Sequence, residues 1–367
     1  MDSAAETEYT MDLKKGIFHG KSAYWLAILF LAAALLFSLL LAVTIGSVDL
    51  SMGDVYRVIL YKTLGIGDAE VYGSGSMSDI VWYIRLPRLI LAIGIGIALS
   101  VSGVVMQAIV KNPLADPYVL GVSSGASLGA TLAILFGVGA SLGSGYVGIV
   151  AFLGAFLVSL CVIALANIGS RATSVKLILA GTALSSICSA ISNFSLYVIN
   201  SSSGAVDAVV RWTLGSLAGA EWESNMWMLL VAVLGCLFFW SQYRVLNLML
   251  LGDESAITLG TNLHPYRIVY LLIASLLIGF AVYTAGIIGF VGLVIPHVVR
   301  ILFGTDHKKL VPISALLGAI FLLWVDVLCR VLLPGKELPV GILTSLVGAP
   351  VFIYLMIRKK YGFGGKE

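Results

Sequence analysis

Residues 118–170 read YVLGVSSGASLGATLAILFGVGASLGSGYVGIVAFLGAFLVSLCVIALANIGS, a stretch of 53 residues without a single Asp, Glu, Lys or Arg. A helix that crosses a membrane needs about 20 predominantly apolar residues. This stretch is therefore long enough for two such helices. The glycines near its centre, at Gly137, Gly139, Gly143 and Gly145, indicate the turn between them.

The rest of the chain follows the same pattern. Of its 367 residues, 59% are hydrophobic and 11% are charged, whereas soluble domains carry about 25% charged residues. Further charge-free runs cover residues 177–206, 268–299 and 338–357. The composition therefore predicts an all-α, polytopic membrane protein whose main partner is the lipid bilayer. The net charge of +3 gives no indication of a nucleic-acid partner.

The apolar runs predict ten membrane spans. They cover about residues 25–45, 89–110, 118–138, 146–166, 175–198, 222–242, 268–286, 288–303, 311–333 and 340–357. The first is too long for the core of a signal peptide, so we expect it to be retained. The eighth is expected to be short and interrupted, because Gly286, Gly289, Gly292 and Pro296 fall within one long apolar run.

The distribution of positive charge predicts the orientation. Ten spans place both termini on one side, and that side carries 15 of the 22 Lys and Arg residues. Such an excess is typical of cytoplasmic segments. We therefore expect residues 1–22 and 361–367 to be cytoplasmic tails around a single transmembrane domain of residues 23–360.

The sequence offers no motif for catalysis, a metal or a cofactor. The glycines of Gly16–Ser22 are separated by three residues, whereas a P-loop needs four. The glycines of residues 143–148 match a dinucleotide-binding pattern but lie between two predicted spans rather than after a strand. The four cysteines lie in apolar runs, where cysteine behaves as a small buried hydrophobe.

A few polar features interrupt the apolar pattern. Arg244–Arg267 is a polar segment between two spans, short enough to be gripped by a soluble partner. Asp326 lies four residues before Arg330, as Asp207 does before Arg211, so each pair can neutralise itself on one helix face. Gly121, Gly125 and Gly129 recur at the spacing of close helix packing.

Two of these polar features keep alternative interpretations. The fifth span carries a stripe of polar residues that could line an aqueous pathway or bond back to its own helix. The stripe consists of Ser185, Ser189, Ser192 and Asn193. Arg85, Arg88 and Arg330 lie on the side that disfavours positive charge. They could anchor the spans at the interface, or meet an acidic protein partner.

Several motifs together resemble a known family. They are Arg85-Leu-Pro-Arg88, Gly103-Val-Val-Met-Gln107, Asn112-Pro-Leu-Ala-Asp-Pro117, Leu120-Gly-Val-Ser-Ser-Gly125, Gly286-Ile-Ile-Gly-Phe-Val-Gly-Leu-Val-Ile-Pro-His297, Glu337-Leu-Pro-Val-Gly341 and Gly348-Ala-Pro350. From about Tyr24 to Lys360 the chain resembles the permease subunits of iron-siderophore, haem and cobalamin importers. These are type II ABC importers of the FecCD family.

The resemblance implies an assembly. It implies the type II ABC importer permease fold with ten helices, paired with a second copy or a paralogous permease. ATP-binding cassette ATPase subunits bind on the cytoplasmic side and a substrate-binding protein on the other, and the permease itself needs no cofactor. The location implied is a bacterial or archaeal cell membrane.

The resemblance also assigns roles to residues. The segment of residues 252–260 would couple to the ATPase, through Gly252, Asp253, Glu254, Ser255, Ala256, Leu259 and Gly260. The binding protein would dock on Arg85, Arg88 and Arg330. Cytoplasmic gates would lie at Asn112 and Leu114 and at Thr173 and Ser174, and the Ser185 stripe would line the pathway.

The function expected from these observations is ATP-driven import of a bulky metal chelate, with a ferric siderophore as the first candidate. Cobalamin and haem are alternatives within the same family. An ion-driven secondary carrier is a lower-ranked alternative, and an intramembrane enzyme ranks below it. All catalysis would then belong to the partner subunits rather than to this chain.

Overall fold

The protein is described by a computed structural model over residues 21–169, 173–199, 203–333 and 335–358. Ten apolar helices dominate this part of the chain. They are α1 (Lys21–Thr44), α5 (Leu86–Val110), α6 (Val122–Phe136), α7 (Tyr146–Asn167), α8 (Ser174–Val198), α10 (Trp222–Ser241), α13 (Leu263–Ala285), α14 (Val291–Phe303), α15 (His307–Val331) and α16 (Val340–Arg358). Each overlaps one of the ten predicted spans, and the predicted all-α class is confirmed.

Shorter helices connect the apolar ones. They are α2 (Met52–Leu64), α3 (Ala69–Tyr72), α4 (Ser76–Asp79), α9 (Ser203–Thr213), α11 (Tyr243–Leu251) and α12 (Asp253–Thr258). A π-helical turn, Ile80–Arg85, joins α4 to α5. Residues 76–110 therefore form one helical stretch of 35 residues, whereas the sequence predicted a span that begins only at about residue 89.

Seven helical stretches are long and apolar enough to cross a membrane, and three of the apolar helices are shorter. The shorter ones are α6, α14 and α16. For α6 the sequence predicted a start at residue 118, but Asp116 caps a separate 3-10 turn over Pro117–Leu120. Gly121 then adopts a φ of 76°, which ends this turn before α6 begins.

Long-range hydrogen bonds define the two ends of the helix bundle. At one end, Tyr24 at the start of α1 and Trp240 at the end of α10 both donate to the carbonyl oxygen of Lys308. At the other end, Arg85 donates to the carbonyl oxygen of Val43, at the end of α1. We call them the Asp253 end and the Arg85 end. Successive spans alternate between these ends, as the prediction of ten spans requires.

The central helix of the bundle is α5, and nearly all of its residues are buried. Small residues let its neighbours approach closely. A Cβ atom at Gly103 would overlap the carbonyl oxygen of Gly292 in α14, and one at Gly96 would overlap that of Gly318 in α15. The predicted packing of Gly125 and Gly129 is also confirmed, because both face the backbone of α7.

The chain breaks between α13 and α14, as the glycines predicted. Gly286 and Phe290 have φ values of 71° and 68°, in the left-handed region. For Phe290 this conformation is uncommon and costs free energy. The break is covered by protein, because Cβ atoms at Gly215 and Gly341 would lie 2.6 Å and 3.1 Å from the carbonyl oxygen of Ile287. Irregular backbone at membrane depth requires such cover.

Candidate functional site

The turn at residues 112–117 closes the Asp253 end of α5. Lys111 ends the helix with a φ of 55°. The side-chain oxygen of Asn112 then accepts a hydrogen bond of 2.9 Å from the backbone N–H of Leu114. The turn is thus stabilised by a hydrogen bond within it. Asn112 is exposed and Leu114 is half-buried, so the Asn112 side chain remains accessible.

The second predicted gate lies against the first. Thr173 caps α8 by accepting from the backbone N–H of Lys176. The hydroxyl of Ser174 donates to the carbonyl oxygen of Ile109 in α5, at 3.1 Å. This hydrogen bond joins the start of α8 to the last turn of α5. The structure thus brings the two gate segments together, although 65 residues separate Ser174 from Ile109.

The polar stripe of α8 is divided between two environments. Ser192 is buried and Ser185 is half-buried, whereas Ser189 and Asn193 are exposed. Among these four residues, the structure describes no serine hydroxyl bonded back to its own helix. Such back-bonding occurs instead at Ser186 and elsewhere along the same helix.

Large apolar side chains are exposed on α8 and on α16. On α8 they include Leu179, Ile187, Phe194 and Tyr197, and on α16 they include Leu346, Ile353 and Ile357. Both helices therefore present apolar faces that the described residues leave uncovered.

The segment of residues 252–260 forms a separate short helix at the Asp253 end. Gly252 has a φ of 103°, which suits glycine and redirects the chain between α11 and α12. The Asp253 carboxylate lies 2.9 Å from a guanidinium nitrogen of Arg267 in α13. Ala256 is buried while Leu259 is 62% exposed. The helix is thus held on one face and presents an apolar residue on its tip.

This segment also touches the first gate. A Cβ atom at Gly252 would lie 3.1 Å from the ammonium nitrogen of Lys111, the residue before Asn112. The backbone at the start of α12 is therefore in contact with the side chain of the residue that ends α5. Sequence reasoning missed Lys111 as a link because nothing in a single sequence pairs it with Gly252.

The three arginines of the Arg85 end line one cleft. The cleft has a volume of about 350 Å³, and Glu337 and Lys336 also contribute to its wall. The side chains of Arg88 and Arg330 are only 5% and 8% exposed. The structure therefore brings the predicted docking residues together, but it places them at the base of a cleft rather than on a flat outer surface.

Two of these arginines are neutralised by carboxylates. Arg88 lies 2.7 Å from Asp326 and 2.5 Å from Glu337. Arg330 lies 3.1 Å from the other oxygen of Asp326, so the predicted pairing at a spacing of four residues is confirmed. The role of Glu337 was missed, because its partner Arg88 is 249 residues away.

Arg85 differs from the other two arginines. Its guanidinium donates to the backbone carbonyl oxygens of Val43 and Thr44, both at 3.0 Å, and to that of Val48. Among the described residues it forms no salt bridge with a carboxylate. Its guanidinium is thus held in place by the dipoles of three backbone carbonyl groups.

The second predicted pair on one helix face is not formed. Asp207 and Arg211 on α9 are both exposed, and the salt bridges of the described residues do not include them. An exposed pair gains little from contact in water, which explains why the two side chains remain apart.

Asp116 is the titratable group of the gate region with a perturbed pKa. Burial raises the pKa of its carboxyl to about 6, although the group accepts a hydrogen bond from the backbone N–H of Tyr118. Within the described residues, no three His, Cys, Asp or Glu side chains cluster closely enough to hold a metal ion.

Comparison with known proteins gives consistent results. A sequence profile of the FecCD transport family matches residues 34–358. The vitamin B12 import system permease protein BtuC of Shigella boydii is 37% identical over 92% of this chain and 95% of its own. The hemin transport system permease protein HmuU of Yersinia pestis is 38% identical over 83% of this chain and 95% of its own.

A solved structure is also similar. It shows a transporter described as a metal-chelate type ABC transporter in an inward-facing conformation. The two chains superpose with a TM-score of 0.75 and 30% sequence identity, over 90% of this chain and 99% of the other.

Proposed function

This chain belongs to the FecCD transport family and is an ABC importer permease for metal chelates, and we propose that its cargo is a ferric siderophore. It is a multi-pass membrane subunit. ATP hydrolysis belongs to partner ATPases, and the family implies a substrate-binding protein as a further partner.

The observation that carries the cargo proposal is the chemistry of α8. Its exposed polar residues offer hydroxyl and amide groups, among them Ser189 and Asn193, and its one cysteine, Cys188, is buried. The helix has no His, Asp or Glu. Iron as a bare ion prefers such ligands, so a surface without them suits iron that remains inside its chelator.

Cobalamin and haem are the second candidates, because the relatives named above import vitamin B12 and hemin. An ion-driven carrier is not favoured, since membership in the family assigns the energy source to ATPases. An intramembrane enzyme is not favoured either, because Asp326 is engaged by two arginines.

We infer that the pathway runs between two copies of this chain or between this chain and a paralogous permease. The uncovered faces of α8 and α16 support this arrangement, because each carries several large exposed apolar residues. A partner permease would cover these faces and leave the Ser189 and Asn193 side chains along the shared axis.

We also propose that α12 and residues 259–260 act as the lever for the ATPase. Leu259 is an exposed anchor for a groove in the partner, and Asp253 ties the lever to α13. The contact between Gly252 and Lys111 would transmit the motion of this lever to Asn112, the next residue. The hydrogen bond from Ser174 to Ile109 would then transmit it to the second gate. With this role the Asp253 end, and with it both termini, would lie in the cytoplasm, which the excess of Lys and Arg supports.

On the Arg85 end, the proposed partner is the substrate-binding protein. Arg85 is the arginine that forms no salt bridge with a carboxylate of the described chain. Because its side chain is buried at the base of the cleft, its charge would attract a glutamate or aspartate of that protein through the cleft rather than by direct contact at the surface. Arg88 and Arg330 would shape the wall of the cleft, because Asp326 and Glu337 hold their side chains in place.

Replacing Arg85 by Gln tests this docking proposal. We expect about ten-fold weaker association with the binding protein, and a smaller loss at high salt, because screening weakens the lost charge interaction. Arg57→Gln is the matched control, because Arg57 lies on the same side and is hydrogen-bonded to Tyr72. Equal affinities of the Arg85 and Arg57 variants at low salt would contradict the proposal.

The cargo is tested by offering a panel of chelates to the complete transporter. The permease, its ATPase and its binding protein are reconstituted in liposomes with ATP, and uptake of a ferric siderophore, cobalamin and haem is compared. We expect the siderophore to be taken up in preference. Uptake of cobalamin or haem without uptake of the siderophore would contradict the proposed cargo. It would not contradict the assignment of this chain to an importer.

A further inference from the structure

An apolar groove opens on the membrane-facing side of α1, α14 and α15. Its volume is about 460 Å³, and almost all of its lining is apolar. The lining residues include Leu26, Phe30, Val299, Phe303, Ile313 and Leu317. Along α1 the groove extends from Ala23 to Leu31, which at 1.5 Å per residue is about 12 Å.

Positive charge lies where the groove meets the Asp253 end. Lys309, Ile313 and Leu317 follow one another at intervals of four residues in α15, so they share one face of the helix. Ile313 and Leu317 line the groove, and Lys309 therefore stands at its mouth. Lys308, next to it, lies on the exposed side of the same turn.

Aromatic and polar groups fix this mouth in place. The backbone carbonyl of Lys308 accepts from Tyr24 of α1 at 3.4 Å and from Trp240 of α10 at 3.1 Å. The Lys308 ammonium lies 5.7 Å from the ring centre of Tyr243, and Arg244 stands over the same ring. Tyr and Trp side chains prefer the level of lipid headgroups.

The local charge remains positive. Asp306 is the acidic residue nearest in sequence, and its carboxylate binds Asn247 and the backbone N–H of Lys308. No salt bridge of the described residues involves Lys308, Lys309 or Arg244. Lys308 and Lys309 at the mouth of the groove, with Arg244 near Lys308 across the Tyr243 ring, therefore outnumber the one negative charge of Asp306.

From this arrangement we propose a binding site for one anionic phospholipid, with an acyl chain in the groove and its headgroup phosphate at Lys308 and Lys309. The apolar lining matches the chain, and the charge at the mouth matches the phosphate. Basic pockets between helices at the cytoplasmic side are where acidic lipids bind. The site depends on the helix bundle alone and is separate from the cleft, the gates and the lever.

A peptide segment fits this groove less well than an acyl chain. The groove runs along the spans toward the middle of the bundle, where no water reaches an exposed backbone. A peptide in that position would need all of its N–H and C=O groups satisfied internally. The 20 residues before Lys21 adjoin the groove in sequence, because Ala23 lines it, and the experiment below includes them.

The test is native mass spectrometry of the purified chain, titrated with phosphatidylglycerol and with phosphatidylcholine of the same acyl composition. We expect at least five-fold tighter binding of phosphatidylglycerol, and about five-fold weaker binding of it after Lys309→Ala. Arg211→Ala is the matched control at the Arg85 end, because Arg211 is exposed and also carries one charge. Inorganic phosphate in excess should not displace the lipid.

A second pair of variants tests the groove without changing charge. Ala27 lines the groove, so Ala27→Phe should fill it and weaken binding of phosphatidylglycerol about ten-fold. Leu29→Phe, at an exposed position of α1 outside the groove, should have no effect. Circular dichroism and gel filtration of each variant show that it is folded.

Four results would overturn the proposal. Equal affinity for the two lipids, or unchanged affinity after Lys309→Ala, would remove the headgroup site. Unchanged affinity after Ala27→Phe would remove the acyl chain from the groove. Lipid binding that rises ten-fold or more when residues 1–20 are deleted would make that segment the occupant.

Discussion

Asp326 balances the charge at the base of the arginine cleft. Its side chain is fully buried, accepts two hydrogen bonds from Arg88 at 2.7 Å and 3.1 Å, and contacts Arg330 at 3.1 Å. Removing one member of a buried ion pair leaves the other charge without compensation, and this costs far more than an exposed pair contributes. A single carboxylate therefore holds the end of α15 against the start of α5.

Asp326→Asn should destabilise the protein by about 3–5 kcal/mol, because two buried guanidinium groups would keep only Glu337 as an anionic partner. The midpoint of thermal unfolding in one detergent measures the effect. Glu337→Gln is the control, since Glu337 is more exposed and Arg88 would retain Asp326. Its expected cost is below about 1 kcal/mol. Equal midpoints for the two variants would contradict this account.

Asp116 gives the gate turn a dependence on pH. Its pKa in the folded protein, about 6, lies above the value of about 3.9 in an unfolded chain. The folded state therefore binds the proton more tightly. The stability that this proton contributes is present below pH 4 and is lost as the pH rises through 6.

Asp116→Asn should remove this dependence, because an amide cannot ionise but can still accept the hydrogen bond from Tyr118. At pH 7 we expect the variant to unfold at a temperature about 5 °C higher than the wild type, because raising the pKa from about 3.9 to about 6 corresponds to about 2–3 kcal/mol. At pH 4 the two should unfold together. A difference that stays constant from pH 4 to pH 8 would show that the carboxyl titrates normally.

At the scale of helices, contact between α5 and α14 depends on two glycines. Gly103→Ala would drive a methyl group into the carbonyl oxygen of Gly292, and neither backbone can yield without moving its helix. We expect a loss of about 2–3 kcal/mol. Gly204→Ala in α9 is the control, because no atom lies within 4 Å of the added Cβ. The midpoint of thermal unfolding should be lower for Gly103→Ala than for Gly204→Ala. Equal midpoints would contradict the close packing of α5 against α14.

The ten apolar helices were predictable because long apolar runs have no stable alternative in lipid. The break before α14 was predictable as well, since its glycines and Pro296 interrupt one such run. Helix ends were less accurate, because caps such as Asp116 and Gly121 decide them locally. The continuous helix over residues 76–110 was missed, because Gly and Ser before it favour a loop.

The candidate site was predictable only in part. The pairing of Asp326 with Arg330 follows from their spacing, but its extension to Arg88 joins residues 238 positions apart. The contact of Gly252 with Lys111 likewise depends on how α5 and α12 are placed in the bundle. Contacts of this kind follow from the packing of the whole bundle and not from any local pattern.

For the whole molecule, we expect changes in the lever to lower the rate of transport without lowering the stability of the fold. Leu259→Ser should leave thermal unfolding unchanged, because the side chain is 62% exposed, and should lower ATP-driven uptake about ten-fold. Leu64→Ser is the matched control, since Leu64 is 66% exposed at the end of α2. Equal uptake by the two variants would remove Leu259 from the coupling.

The central claim is that this chain forms a transport pathway, and that ATP binding and hydrolysis in the partner ATPases open and close it. The most direct test measures uptake, into liposomes, of the chelate that the binding protein retains. The complete transporter with ATP should accumulate the chelate, and neither a hydrolysis-deficient ATPase nor the isolated chain under a proton or sodium gradient should do so. Accumulation by the isolated chain without ATP would contradict the account.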